Sequence, residues 1–167
     1  MKAIETINYK NHAIKIFFDE TVENPIKEME TLGKFVCFHS RYDLGNCADF
    51  VSADQLKEFI LKENPVYLNL FLYDHSGITM KASKKGNPFY GHLPQGHAEF
   101  DSGQVGIVFA TKKDILKAYG GKILTKKLIE KVEKFLNDEV ELSDRFMLGF
   151  LWRRWKKRND QTGQKRR

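Results

Sequence analysis

Tyr73-Asp74-His75-Ser76-Gly77 is the densest polar cluster in the chain. An imidazole beside a carboxylate and a hydroxyl can move protons at neutral pH, so His75 is a candidate general acid or base. Asp, Ser and Gly are also the residues a tight turn selects for backbone reasons, and strand neighbours point to opposite faces. Asp74 and Ser76 are therefore poor direct partners for His75, and any partner has to come from another segment. Asp101-Ser102-Gly103-Gln104 is one source. Its Asp101 and Gln104 could bind a ligand, or the segment could be a turn with Gly103 at positive φ. His39 is another source. If the reading is enzymatic, Asp74, His75, Asp101 and His39 are the catalytic candidates, converging at one end of a sheet.

Metal chemistry has a weak signal. Cys37, His39, Cys47, His92 and His97 supply donors, yet no Cys-x-x-Cys or His-x-x-x-His spacing occurs. Cys37, between Phe35, Val36 and Phe38, reads as a small core hydrophobe. No metal and no cofactor is expected.

Charge is distributed unevenly. Residues 153–167 carry eight Lys/Arg and one Asp, a net +7. The other 152 residues carry 20 basic and 21 acidic groups, a net −1. The isoelectric point near 9.2 thus describes the C-terminal segment. Within it, Arg153, Arg154, Trp155, Lys156, Lys157 and Arg158 follow Trp152. Cations that displace condensed counterions, with a ring that stacks on bases, suit nucleic acid better than a membrane surface. The same segment would also serve as a solvated terminus. The loop 84–100 mixes lysines, glycines, prolines and two histidines with Phe89 and Tyr90, which could stack on bases or fill a partner's pocket.

These residues need elements to hold them. Alternation of Ile14, Ile16 and Phe18 with Lys15 and Asp19 predicts a half-buried strand over His12–Glu20. Lys34–His39 is apolar on both faces and predicts a central strand. Ser52 with Gln55 has capping-box spacing and opens a helix to about Glu63, with Leu56, Phe59 and Ile60 on one side. Val66–Tyr73, a turn at 74–77 and Ile78–Lys81 predict a β-hairpin. Gln104–Ala110 is a further strand. Thr111 caps a helix ending at Gly120-Gly121, and Leu124 to about Asn137 has helical periodicity. Phe146–Trp152 is expected as a last edge strand, because Gly149 weakens a helix and aromatics suit a pleated surface. Self-association through that strand would suit a scaffolding role.

The expected fold is therefore α+β: an antiparallel sheet of about six strands with two to three helices packed on one face. Residues 1–152 form one domain, and 153–167 a basic tail. No run of about 20 apolar residues is present, so no membrane span is expected. With no apolar leader at the N-terminus and two cysteines, the expected compartment is the cytoplasm.

Four strings stand in order: Glu23-Asn24-Pro25, Leu32-Gly33-Lys34-Phe35-Val36-Cys37-Phe38-His39-Ser40-Arg41-Tyr42-Asp43-Leu44-Gly45, Leu72-Tyr73-Asp74-His75-Ser76-Gly77-Ile78-Thr79-Met80 and Asp101-Ser102-Gly103-Gln104-Val105-Gly106. Over about residues 13–140 the chain resembles a family of small proteins of bacteriophages and other mobile elements. The resemblance implies a mobile-element origin and a bacterial host cell. It assigns no catalytic role to any residue. This chain departs from the family in a lengthened 84–100 segment, in Phe100 where the family has Trp, and in its basic tail. The expected partner is a host defence protein or its complex with nucleic acid, contacted through the tail and the 84–100 loop. The alternative is a small enzyme acting on nucleotides or nucleic acid.

Overall fold

A computed structural model of the chain describes residues 3, 5–10, 12–17, 24–75, 77–92 and 96–162, with side chains to Leu148. The class is α+β, with antiparallel pairing throughout. The strands divide into two sheets. β1 (Glu5–Tyr9) and β2 (His12–Ile16) pair by themselves, and β3 (Lys34–Cys37), β4 (Val66–Asp74), β5 (Ile78–Ser83) and β6 (Ser102–Ala110) form a sheet in the order β3-β6-β4-β5.

β4 and β6 are central because each is apolar on both faces. Leu68, Leu70 and Leu72 of β4, with Val108 and Ala110 of β6, pack against Val132, Leu136 and Val140 of a long helix, α5 (Lys126–Thr162). On the opposite face, Ile107 and Phe109 meet Leu56, Phe59 and Ile60 of α2 (Ala53–Glu63). The rings of Phe50, Phe59 and Phe109 meet edge-on or tilted with centroids 5.1–6.0 Å apart, which favours aromatic pairs beyond simple burial. Helices thus cover both faces, not one. Among the described residues there are five helices, the others being α1 (Pro25–Glu28), α3 (His97–Asp101) and α4 (Lys112–Tyr119).

The expected caps form. Ser52 Oγ accepts from Gln55 N–H at 3.3 Å, and Gln55 Oε1 accepts from Val51 N–H at 3.0 Å. Thr111 Oγ1 accepts from Asp114 N–H, and α4 ends at Gly120 with φ 74°.

Three expectations are corrected. β3 is an edge strand, not a central one. Its outer edge is roofed by a loop: Asn46 Oδ1 accepts from Phe35 N–H at 2.8 Å, and Phe35 C=O accepts from Asn46 and Cys47 N–H at 3.1 Å each. A covered edge strand is buried on both faces and has the composition of a central one. Next, Phe146–Trp152 is helix, not strand. Val132, Leu136, Val140, Ser143 and Met147 form one buried stripe at steps of three and four, and α5 follows it past Asn137 without a break. One glycine at 149 costs about 1 kcal/mol relative to alanine, less than such a stripe contributes. No last strand is therefore available for self-pairing, and the expected domain boundary at 152 falls inside α5. Finally, of the half-buried strand predicted over His12–Glu20, His12–Ile16 is β2, paired in register with β1 and exposed at every residue, while residues 18–20 lie outside the described residues. Alternation marks a strand whether or not one face is covered.

At β5, the opposite edge of the sheet, Asp144 of α5 accepts from Met80 N–H at 2.7 Å. Polar side chains of the chain itself thus take up a backbone group on each edge strand, at Phe35 of β3 and at Met80 of β5.

Candidate functional site

The register of β4 against β6 builds the site. Tyr73 lies opposite Ser102, so the residues just after β4 run beside the residue just before β6. His75 and Asp101 meet there, Nδ1 to Oδ2, at 2.8 Å. This pairing, 26 residues apart in the chain, joins two of the four residues that the enzymatic reading expects to converge. The His75 side chain is 47% exposed and that of Asp101 32%.

His97 joins them. Gly96, at φ 89°, starts α3, and His97 and Asp101 are four residues apart on that single turn of helix. Residues at i and i+4 share a helix face. The His97 ring stands edge-on to the His75 ring at 4.9 Å, and the nitrogen and oxygen donors of His75, His97 and Asp101 all lie within 4.8 Å of one another. In the sequence His97 stands out only as a donor beside Cys37, His39, Cys47 and His92. Its link to Asp101 is a His-x-x-x-Asp spacing, and that carries meaning only if 97–101 is helical.

Asp74 turns to a second group. It accepts from Arg41 at 2.7 Å and from Tyr42 Oη at 3.3–3.4 Å, and the His39 ring stacks on Tyr42 at 4.9 Å. The four catalytic candidates thus form two pairs: His75 with Asp101, and Asp74 with His39 through Tyr42. Strand alternation explains the split, since Asp74 and His75 leave β4 on opposite sides.

The described part of the 84–100 segment, residues 84–92 and 96–100, is partly folded back: Phe89 and Ala98 are buried, while Tyr90, His92 and Phe100 are exposed. It lies over the half of the sheet that α2 leaves uncovered. Phe89 is buried against Phe71 and Ala98, with Tyr73 alongside, so it is not an exposed anchor. Asn87 fastens the segment, donating to Ser102 Oγ at 2.8 Å and accepting from Phe89 N–H at 3.0 Å. Ser102 Oγ donates in turn to Ala98 C=O. Tyr73 connects this packing to the site, its ring lying 5.6 Å from Phe89 and 6.0 Å from His75. Tyr90 does remain exposed.

Gly103 lies inside β6 and does not take positive φ, so 101–104 is a helix-to-strand junction, not a turn. Gln104 is committed internally, donating to Asn69 Oδ1 at 3.2 Å and to Gly106 C=O at 3.4 Å. Cys37 packs on the α5 side of the sheet and Cys47 on the α2 side. Burial raises both thiol pKa values, which holds the thiols protonated and makes them poor nucleophiles. The backbone of α5 carries residues 153–158, but the side chains of Arg153, Arg154, Trp155, Lys156, Lys157 and Arg158 lie outside the described residues. Among the described residues no helix is long and apolar enough to cross a membrane.

No protein-family model, curated protein or solved structure matches the chain. A carboxylate bonded to one imidazole nitrogen orients the ring and leaves the other nitrogen for a substrate, which is the arrangement of a general base.

Proposed function

We propose that the protein is an accessory factor of a mobile element that acts by binding. Its target is a host defence system directed at nucleic acid, of anti-CRISPR or anti-restriction type. The observation that carries this reading is the division of charge: +7 on residues 153–167 against −1 on all the rest. A near-neutral body is a poor mimic of DNA, whereas a cationic segment is attracted to phosphate or to an acidic face of a nucleoprotein. The helical backbone of α5 across residue 153 supports the reading, because it joins those cations to the core without a linker. With Phe89 buried, Tyr90 and Phe100 are the exposed aromatics of the described part of the 84–100 segment.

Gel shift and fluorescence anisotropy against duplex DNA, RNA and purified defence nucleases test this at several salt concentrations. Each phosphate contact contributes about −0.9 to the slope of log K against log salt on duplex DNA. Deleting 153–167 should flatten that slope by several units and weaken binding at least tenfold. An unchanged slope and affinity would remove the tail from the mechanism.

A second reading has its own observation, the 2.8 Å contact of His75 with Asp101. A small enzyme acting on nucleotides or nucleic acid would use His75 as its base. The site is open, which suits a polymer strand better than an enclosed small molecule. His75→Ala should then lower hydrolysis of labelled DNA, RNA or nucleotides by at least about 100-fold, the usual worth of a positioned acid or base. Equal turnover by parent and variant would leave the dyad a structural pair.

A further inference from the structure

The geometry points to a divalent transition-metal site, of zinc type, formed by His75, His97 and Asp101. It rests on neither reading of function above.

Three observations converge on it. The first is placement. His75 ends one side of the β4–β6 ladder, while His97 and Asp101 are presented together by one turn of α3 at the other. The site is thus closed by tertiary structure rather than by neighbours along the chain. The second is distance. Ligand atoms around a four-coordinate zinc, at bonds of about 2.0–2.2 Å, stand roughly 3.3–3.5 Å apart. The three donors already lie within 4.8 Å of one another, and His75 and Asp101 are at 2.8 Å. Small side-chain rotations, chiefly of His75, the exposed member of the three, bring the donors to that spacing. The third is donor chemistry. Two imidazoles and a carboxylate suit Zn²⁺, Co²⁺ or Ni²⁺ and are a poor match for Mg²⁺ or Ca²⁺, which take oxygen ligands. Three protein donors leave a coordination position open to water or to a ligand oxygen, the composition of a catalytic rather than a purely structural site.

The surroundings hold the donors in place. Ala98, next to His97, is buried with Phe89, and Ser102, next to Asp101, is bonded to both Asn87 and Ala98 C=O. The His75 ring lies along Tyr73, which rests on Phe89. Each ligand is therefore one residue or one ring removed from a packed or hydrogen-bonded anchor. Bound metal would fasten the 84–101 segment to the β4–β5 turn.

Titration calorimetry of the full chain with Zn²⁺ alone should give one site per molecule. Co²⁺ should develop the intense visible bands of a four-coordinate ion without a thiolate charge-transfer band. His97→Ala, which touches no core contact, should weaken zinc at least tenfold and abolish the cobalt spectrum. Asp101→Asn should do the same, with an unchanged melt in the absence of metal. Cys37→Ser, Cys47→Ser and His92→Ala should bind as the parent does. Failure of the parent to bind either ion overturns the inference, and so does equal binding by parent, His97→Ala and Asp101→Asn. A protein that binds zinc but hydrolyses nothing keeps the site and loses the enzymatic reading; hydrolysis unchanged by chelators with no zinc bound does the reverse.

Discussion

Gly106→Ala is expected to destabilise the protein by roughly 3 kcal/mol or more, and Gly106→Val to prevent folding, although each adds only small apolar groups. A Cβ at this position would stand 1.8 Å from the Val36 carbonyl oxygen, 2.9 Å from its carbon and 3.0 Å from Cys37 Cα. All three obstacles are backbone, so no side chain can swing away. Relief requires β3 to move off β6, which breaks the pairing of Val36 with Ile107 and of Cys37 with Gly106. It also opens Phe35 and Val36, now fully buried on opposite faces. The close approach has a local cause. Opposite β4, Leu70 pairs with Gly106 but Phe71 pairs with Gln104, so Val105 is an extra residue in β6. Such bulges sharpen the local twist, and glycine is the residue that tolerates the resulting contact. Gly103, in the same strand, has nothing within 4 Å of its Cβ position, so Gly103→Ala is the internal control and should stay within about 0.5 kcal/mol of the parent. For a chain of this size, 3 kcal/mol corresponds to about 6–12 °C in melting temperature. A Gly106→Ala melt no lower than that of Gly103→Ala would refute the close approach.

Gly106 also shows which features the amino-acid order makes readable. Its strand was evident, since Ile107 and Phe109 opposite Val108 are apolar on both faces. The bulge was not, because it is a property of two strands in register and leaves no mark on either alone. The same division holds elsewhere. The β4–β5 hairpin, α2 with its Ser52 cap and α4 with its Gly120 end were legible, since their determinants lie within a few residues of each other. The edge position of β3 was not, because the roof over it is Asn46, whose side chain also donates to Ile26 C=O and Thr31 Oγ1. The full length of α5 is hidden because Phe146–Trp152 taken by itself has a strand's composition, and only the stripe that begins at Val132 carries the helical period through it. At the site, the pairing of His75 with Asp101 was foreseeable once β4 and β6 were read as strands whose ends could meet. The place of His97 was not, because 84–100 reads as irregular and gives no period to follow. Phe89 misled for a related reason. An aromatic beside Pro and Gly has the composition of an exposed anchor, and only the uncovered half of the sheet explains why it is buried.

Glu139 should prove the most costly carboxylate to remove, and its pH signature should run opposite to that of a surface ion pair. It sits buried on α5 and accepts from Leu32 N–H with Oε1 and from Gly33 N–H with Oε2, each at 2.8 Å. These two bonds tie the turn before β3 to the helix that packs on the sheet. Gly33 is fitted to the carboxylate, since a Cβ there would lie 2.5 Å from Oε2. Glu139→Ala leaves the buried Gly33 donor and the half-buried Leu32 donor without a partner, a loss of about 3 kcal/mol at the usual 1–3 kcal/mol for each. Glu139→Gln keeps one acceptor and turns an amide N–H toward the other donor, so roughly half of that loss is expected. Burial pushes the Glu139 carboxyl above its ordinary value, and the hydrogen bonds from Gly33 and Leu32 offset this only in part. Folded protein therefore holds this proton more readily than unfolded protein does. Between the ordinary carboxylate value of about 4.3 and the raised folded one, the contribution of Glu139 to stability falls as pH rises, and the cost of its ionisation is fully present above that window. Asp144, also raised chiefly by burial, adds a slope of the same sign. Denaturant titrations across mildly acidic pH should show Glu139→Gln flattening this dependence while lowering stability at every pH. If the variant kept the parent's slope, the buried carboxylate would not be its source. If Glu139→Ala unfolded within 1 kcal/mol of the parent, the tie between α5 and the β3 turn would be dispensable.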